Sequence, residues 1–412
     1  MRLLSIALVL VAGCFDPEPG FYSCTDSEGC PDGWSCHSDQ RCYPDPEADM
    51  GVADLSMPDM QVGDMFATDM PDECIPEPQR PVDLLLVVDN SMSMMEEQLR
   101  LKDSVRGLLE ALALGRDAEG TVGAFAPVED LHVGVITTDI GAGPTMLPGG
   151  VCPMPGDDGI LLNETRSGAA TCSDTFETRF LTYDPGVGIN ALADDLTCLA
   201  SVGLDGCGFE QQLEAMARAL VPSTNMAIDR GKADGPNDGF LREGSVLIVS
   251  VVTDESDCSA ADLDLFNQSS TMYDTDLNLR CGEHADEALH PISRYVDTLL
   301  TYVRGTRDTD VIFAPLVGVP PDLVGEDWDV ILADDSQQFV VDPGSGVRFT
   351  PSCESDGTSA QPAPRFVELS KLFEEQGGHS VLGSICDGDY ASYFASILDA
   401  LEPLLEVDTC EP

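Results

Sequence analysis

VDLLLVVDNSMS, at residues 82–93, is a nearly continuous apolar run that passes directly into polar residues. An apolar run of this length is typical of a strand buried on both faces of a sheet. Residues 94–114 then predict an amphipathic helix, and Gly115 just beyond it suits a C-terminal cap. The stretch therefore predicts a buried strand that leads directly into a helix.

The alternation of strand and helix continues along the chain as far as residue 405. Further strands are predicted at residues 131–137, 180–183, 245–252, 311–319 and 379–384. Further helices are predicted at residues 191–200, 209–220, 287–303, 366–376 and 390–405. We expect residues 180–183 to form an antiparallel edge strand. Strands that alternate with helices predict an α/β fold with a doubly wound, mostly parallel six-stranded sheet.

The amino-terminal residues predict export. Residues 1–13 combine Arg2 with an apolar stretch too short to cross a bilayer, as in a signal peptide. Val11-Ala12-Gly13-Cys14 resembles the bacterial lipobox, which implies a lipid anchor on Cys14; an ordinary secretory signal is the alternative. Phe15, in place of Asp, implies by analogy with enteric bacteria an outer-membrane location, periplasmic or surface-exposed.

Two small regions are predicted before the main domain at residues 81–412. Residues 14–43 form a disulfide-rich module with too few apolar residues for a core, so two disulfides of open connectivity are predicted among Cys24, Cys30, Cys36 and Cys42. Residues 44–80 repeat Asp-Met amid Pro and Gly without helical or strand periodicity, which predicts an acidic, extended linker. A copper(I) site made of its methionines is the weaker alternative.

Cysteine count and charge limit the compartment and the partners. The chain has 15 cysteines, so fourteen remain if Cys14 is lipidated, an even set that predicts disulfides in an oxidising compartment. Its formal net charge of −54 argues against nucleic acid as a partner, because phosphate binding requires clustered Lys and Arg. The same charge attracts divalent cations.

Asp89, Ser91 and Ser93 form a DxSxS pattern where the first strand gives way to the helix. Ligands of open α/β sheets bind at the carboxyl ends of the strands. One carboxylate and two hydroxyls at alternate positions can converge on a hard cation, so we predict Mg²⁺, with Mn²⁺ or Ca²⁺ as alternatives. A helix N-cap formed by Ser91 or Ser93 is another use of the same hydroxyls, and both uses are compatible.

DLLLVVDNSMS resembles the start of the von Willebrand factor A family, whose metal-ion-dependent adhesion site uses DxSxS. GCGFEQ and TDESDCS resemble a subset of bacterial surface lipoproteins that carry this domain. The resemblance implies that Asp254 holds a metal-bound water. Because the predicted strands that precede them run parallel, we expect Asp89, Asp139 and Asp254 to emerge at one face of the sheet. The family's Thr is absent before the helix at residue 209, and Glu210 is the predicted replacement ligand. Glu255 and Asp257 are expected to add negative charge nearby.

The resemblance also implies a function and a set of bridges. It implies that the domain binds a protein or extracellular-matrix ligand through the ion, in adhesion or complex assembly. We expect no enzyme activity and no organic cofactor, and contact with the membrane through the lipid alone. Most of the domain's cysteines lie in loops on the predicted metal face, and we expect the pairs Cys152–Cys172, Cys198–Cys207, Cys258–Cys281 and Cys353–Cys386 among them. An end-closing bridge of a kind found in the family adds the pair Cys74–Cys410.

Two other functions remain open. A structural envelope lipoprotein could use the ion only to stabilise its fold. A metal-dependent hydrolase finds less support, because the five histidines form no HExxH motif and the GHSVL sequence at residues 378–382 lacks the second Gly of GxSxG.

Overall fold

The computed structural model describes residues 34–36, 42–44 and 80–405, with gaps at 124, 146, 148–151, 153–155, 167–171, 173–174 and 356. The chain divides into two compact units, Met1–Glu73 and Cys74–Pro412. In the first, β1 (Trp34–Cys36) pairs antiparallel with β2 (Cys42–Pro44), and Cys36 lies opposite Cys42. The predicted signal peptide, the lipid anchor at Cys14, the linker, the module's disulfides and the Cys74–Cys410 bridge lie outside the described residues.

The second unit is an α/β fold built on a mixed, mostly parallel sheet. Its strands are β3 (Val82–Val88), β4 (Leu131–Thr137), β5 (Leu181–Thr182), β6 (Val246–Val252), β7 (Asp310–Val317), β8 (Cys353–Ser355), β9 (Thr358–Ala360), β10 (His379–Ser380) and β11 (Gly383–Ser384). Its helices are α1 (Met95–Leu114), α2 (Ile189–Leu199), α3 (Gln212–Leu220), α4 (Arg280–Glu283), α5 (Ala285–Ala288), α6 (Ser293–Asp297), α7 (Gly305–Arg307), α8 (Trp328–Ala333), α9 (Pro364–Glu375) and α10 (Ala391–Leu405).

The main sheet has the strand order β10-β7-β6-β3-β4-β5, with β11 also paired to β7. Only β5 runs antiparallel to its neighbour, as predicted for an edge strand, and β8 and β9 form a separate hairpin. The predicted α/β class with a mostly parallel sheet is confirmed. The predicted strand at residues 379–384 is interrupted, because β10 and β11 pair with successive parts of β7, which gives seven strands instead of six.

Two apolar cores cover the faces of this sheet. Successive side chains of a strand point to opposite faces. Leu84 and Leu86 of β3 therefore pack with α1, α2 and α10, whereas Leu85 and Val87 pack with α3, α6 and α9. All seven residues of β3 are buried, which explains why its sequence is continuously apolar apart from one residue.

Two predicted helices differ from the structure in ways that have local causes. The long helix predicted at 287–303 is wrong at its start: α5 ends at Ala288 and α6 begins at Ser293. Pro291 lies between them and cannot donate a helical hydrogen bond. The helix then continues as a π-helical segment, Thr298–Arg304. The helix predicted at 209–220 begins only at Gln212, so Glu210 lies in the loop before it.

Four disulfides join described cysteines of the second unit, and two of them differ from prediction. Cys258–Cys281 and Cys353–Cys386 are confirmed. The predicted Cys152–Cys172 and Cys198–Cys207 pairs are wrong: the bridges are Cys152–Cys207 and Cys172–Cys198. The prediction paired cysteines that follow each other in the sequence. In the structure Cys152 packs into a small separate core with Cys207, Phe209 and Cys258, and this packing decides its partner.

Within the described ranges, no helix has both the length and the apolar character needed to cross a bilayer.

Candidate cation site at the carboxyl end of the sheet

Asp89 and Asp254 follow two adjacent parallel strands that end side by side. Val88 is paired with Val252 in the sheet, and the Asp89 N–H donates to the Val252 carbonyl at 2.9 Å. The Asp89 carboxylate is fully buried and accepts hydrogen bonds from the Thr253 hydroxyl at 2.6 Å and the Ser91 N–H at 2.8 Å. The parallel register of β3 and β6 therefore brings the two aspartates to one edge of the sheet.

The two serine hydroxyls of the DxSxS pattern face each other and the second aspartate. Ser91 Oγ and Ser93 Oγ are 3.0 Å apart, and Ser93 Oγ donates to Asp254 Oδ1 at 3.2 Å. Neither hydroxyl caps a helix: Ser91 precedes the short 3₁₀ turn Met92–Met94 without a side-chain capping bond, and the N-cap residue of α1 is Met94. The N-cap alternative is therefore wrong: the two hydroxyls hydrogen-bond to each other, and Ser93 also to Asp254, instead of capping a helix.

Glu210 reaches this edge on a loop that packs tightly against the DxSxS segment. The Gly206 N–H donates to the Asn90 carbonyl at 2.9 Å, and a Cβ at Gly206 would lie 2.2 Å from Asn90 Oδ1, so a larger residue there would displace the Asn90 side chain. The Glu210 carbonyl accepts from the Cys258 N–H at 2.8 Å. The side chain is 5 % exposed, and among described residues only the Glu210 N–H hydrogen-bonds to its carboxylate.

The electrostatics of the site are those of buried acids that repel one another. Burial raises the pKa of Asp89. Burial, and then the neighbouring charges of Asp89 and Glu255, hold the pKa of Glu210 well above its usual range. Burial and the charges of Glu255 and Asp89 do the same to the pKa of Asp254. Burial and Asp89 raise the pKa of Glu255 to about 8, against the opposing effect of the Arg348 guanidinium.

An open cleft of about 720 Å³ gives access to these groups. Ser93, Glu210, Asp254 and Glu255 line it, as does the Cys258–Cys281 disulfide. The other walls come from two later segments of the chain and include Leu277, Asn278, Gly282, Asp342, Arg348, Phe349, Pro351, Glu354 and Gln361. Three of the five predicted ligand residues, Ser93, Glu210 and Asp254, thus border a space large enough for a ligand group, whereas Asp89 and Ser91 are buried behind it.

Two residues expected near the site have other roles. Asp139, buried after β4, accepts hydrogen bonds from the N–H groups of Gly141 and Cys207, and burial raises its pKa to about 6. Asp257 accepts from the Leu213 N–H at 3.0 Å and from Arg365 Nε at 2.9 Å. Both carboxylates hold the loops around Glu210 in place, and the charge of Asp257 is paired with that of Arg365.

Glu97 is a buried acid that the sequence analysis missed. It lies on α1 at 1 % exposure, one of its carboxylate oxygens has no partner among described residues, and its charge raises the pKa of Asp254. The signal that could have identified it is helical spacing. Residues four apart lie on the same helix face, and Glu97 is four residues after Ser93.

The donor set fits a hard cation. Carboxylate and hydroxyl oxygens are the ligands that Mg²⁺, Mn²⁺ and Ca²⁺ prefer. The buried acids near Asp89 have no ion pair with a base at described positions, so a cation would relieve their mutual repulsion. No three or more His, Cys, Asp or Glu side chains in the described part of the chain are arranged to hold a metal ion. Asp89, Glu210 and Asp254 therefore do not form such a group, and the fit to a cation is one of donor chemistry.

Comparisons with known proteins find similar chains among solved structures alone. No protein-family model and no curated protein matches the chain. Among solved structures, the PilB minor pilin from Streptococcus sanguinis is similar at 11% identity and a TM-score of 0.36, over 80% of this chain and 63% of that one. A point mutant of the same pilin is similar at 8% identity and a TM-score of 0.33, over 79% and 62% of the two chains.

The human COPII-coat protein Sec24c is similar at 12% identity and a TM-score of 0.28, over 80% of this chain and 32% of that one. This chain therefore spans less than two thirds of the length of each of these three structures. TM-scores of this size do not establish a common fold, so none of the three bears on the function.

Proposed function

We propose that this chain is an exported, lipid-anchored cell-envelope protein whose main domain is of the von Willebrand factor A type. In this proposal the domain binds a divalent cation and, through it, a protein or extracellular-matrix ligand. The observation that carries the proposal is the set of buried acids at Asp89, Glu210 and Asp254, which lie beside two serine hydroxyls and have no basic partner at described positions.

Each residue has a role in the proposed site. Asp89, Ser91 and Ser93 would bind the ion, Asp254 would hold it through water, and Glu210 would replace the hydroxyl ligand of the family. When bound, the ion supplies a positive charge and a coordination position that an oxygen of the ligand can fill. Ser93 is exposed and lines the cleft, which supports access from solvent to a bound ion.

The proposed location rests on sequence and cysteine chemistry. The lipobox-like VAGC at residues 11–14 supports anchoring, and four disulfides in the second unit fit an oxidising compartment. We place the protein in the outer membrane, facing the periplasm or the exterior.

Cation binding is tested by thermal unfolding of the purified chain in EDTA and in rising Mn²⁺ or Mg²⁺. At a free ion concentration of about 100 times Kd, the free energy of unfolding should increase by about 2.7 kcal/mol. Asp89→Asn should abolish the increase. Asp310→Asn, which removes the ion pair with Arg80 at the start of β7, is the matched control and should keep it. An equal response in both variants would refute the site.

Ligand binding is tested by pull-down of envelope and matrix proteins with and without EDTA. Partners that are lost in EDTA and with Asp89→Asn support the proposal. Stabilisation by the ion with no EDTA-sensitive partner would favour the alternative, a purely structural ion. Hydrolytic turnover that Asp89→Ala abolishes would favour the metal-dependent hydrolase instead.

A further inference from the structure

Two open clefts of the second unit share a border. The cleft beside the cation site and a second cleft of about 600 Å³ are both lined by Gly282. Phe349 lines the first cleft and Phe339 the second, and their ring centroids are 4.8 Å apart. A Cβ on Gly282 would lie 2.8 Å from both rings, so glycine lets the two rings pack against the backbone there. The two clefts therefore form one groove with two halves.

The first half of the groove, beside the cation site, has an excess of negative charge. Of the described residues that line it, one is a base, Arg348, and five are acids. These acids are Glu210, Asp254, Glu255, Asp342 and Glu354. The Glu210 side chain is almost fully buried, and its own N–H is the only described group that hydrogen-bonds to its carboxylate. A divalent ion at the proposed site would still leave the formal charge balance of this half negative.

The second half of the groove is also acidic, because its bases already have partners. Its described lining includes five exposed acids, which are Glu283, Asp286, Glu287, Glu368 and Glu375. It also includes two bases. Arg365 Nε lies 2.9 Å from an oxygen of Asp257, and Lys371 forms an ion pair with Asp329. The three acids at residues 283–287 have no ion pair with a base at described positions. Their charges are therefore available to a ligand.

Apolar side chains form part of both halves. These are Leu277, Phe349 and Pro351 in the first half and Leu332, Phe339 and Leu372 in the second. Concave surfaces that combine apolar walls with a few charged groups are typical of binding sites. Charges of one sign in a cleft attract ligands of the opposite sign and speed their association. The groove therefore suits an extended ligand that carries positive charges and also makes apolar contacts.

We infer that the groove binds a basic polypeptide segment, which lies along both halves with its cationic side chains beside the acids. This inference rests on the proposed function, because it names the class of ligand that reaches the ion. A peptide carbonyl of the segment would fill the open coordination position, since hard ions accept carbonyl oxygens. An acidic segment is disfavoured, because it would place like charges together in both halves.

The test uses the whole purified chain in saturating Mn²⁺ and three fluorescein-labelled peptides of about 12 residues, about 40 Å long when extended. Glycine alternates in them with lysine, glutamine or glutamate. Fluorescence anisotropy should detect binding of the lysine peptide, and added salt should weaken this binding by screening. Glu283→Gln with Glu287→Gln should weaken it about three- to tenfold, the combined effect of two exposed ion pairs.

A matched double variant controls for the negative charge of the whole chain. Glu119→Gln with Glu129→Gln also removes two exposed acids, but between α1 and β4 at the opposite edge of the sheet. It should leave the affinity for the lysine peptide unchanged. Equal losses in the two double variants would refute the groove, because the peptide would then respond only to net charge. Tighter binding of the glutamate peptide, or no binding of the lysine peptide, would also refute it.

A separate Mn²⁺ titration without peptide distinguishes the two proposals. Glu283→Gln with Glu287→Gln should bind Mn²⁺ with native affinity, because neither residue belongs to the ion site. Native chain that binds no Mn²⁺ would overturn the ion site, yet the groove would stand if the two double variants still differ in peptide binding. Normal Mn²⁺ binding together with equal peptide affinities would leave the ion site intact and refute the groove alone.

Discussion

Asp83 and Asp89 stand at the two ends of the first strand of the sheet, and both are fully buried, yet their surroundings are opposite. The Asp83 carboxylate accepts from the Arg242 Nε at 2.8 Å and from the Arg242 N–H at 2.9 Å. Among described residues, the Asp89 carboxylate accepts only from neutral groups, the Thr253 hydroxyl and the Ser91 N–H. One buried charge is neutralised within the chain and the other is not.

The same difference extends along the two edges of the sheet. At the amino edge, Arg80 bonds Asp310 at 2.6 Å and the carbonyls of Gly244 and Ser245 at 3.0 Å. At the carboxyl edge, Glu210 and Asp254 stay close to other acids. A buried charge costs several kcal/mol unless it is paired. The amino edge therefore stabilises the fold, and the carboxyl edge keeps a negative field that favours a cation.

The largest expected effect is on stability at the amino edge. Arg242→Ala should lower the free energy of unfolding by about 3–5 kcal/mol, because it leaves Asp83 buried and unpaired. Asp89→Asn, measured in EDTA, should cost no more than about 1 kcal/mol, since the hydrogen bond it loses is offset by reduced repulsion. Urea denaturation measures both. Equal losses in the two variants would contradict the difference between the edges.

Removal of the disulfide that holds the Glu210 loop should have a smaller effect, a loss of affinity for the ion. Cys152→Ala with Cys207→Ala removes the bridge that ends three residues before Glu210, and groups that orient a ligand typically affect metal affinity by about 10–100-fold. The matched control, Cys172→Ala with Cys198→Ala, removes a bridge of α2. Calorimetric Mn²⁺ titration should show the loss in the first pair only; equal losses would indicate general destabilisation.

The third expected effect concerns the pH dependence of stability. The pKa of Glu255 is raised from 4.5 to about 8, so the folded chain binds more protons than the unfolded chain across this range. Stability without metal should therefore fall as pH rises from about 4.5 to 8, with a slope of at most about 1.4 kcal/mol per pH unit. Glu255→Gln should flatten the slope in thermal unfolding, and so should saturating Mn²⁺. A slope that is unchanged by the substitution would rule out Glu255 as its source.

Local patterns predicted most of the main sheet correctly and some of the rest incorrectly. The strands at residues 82–88 and 131–137 were predicted with their observed bounds, because a buried strand needs an apolar run and no distant information. The helix predicted at 287–303 was wrong only at its start, because an apolar helical pattern outweighed the break at Pro291. Glu97 was missed, because its burial depends on helix packing and not on its own sequence neighbours.

By itself, the sequence determined the α/β class, the strand that ends at Asp89 and the DxSxS pattern, since each follows from residues within one or two turns of chain. Only the tertiary structure decided that Cys152 meets Cys207, that both serine hydroxyls turn away from helix capping, and that Arg348 borders the cleft. Each of these contacts joins segments distant in sequence or depends on side-chain orientation. Such contacts are set by how the insertions pack over the sheet, which local periodicity does not encode.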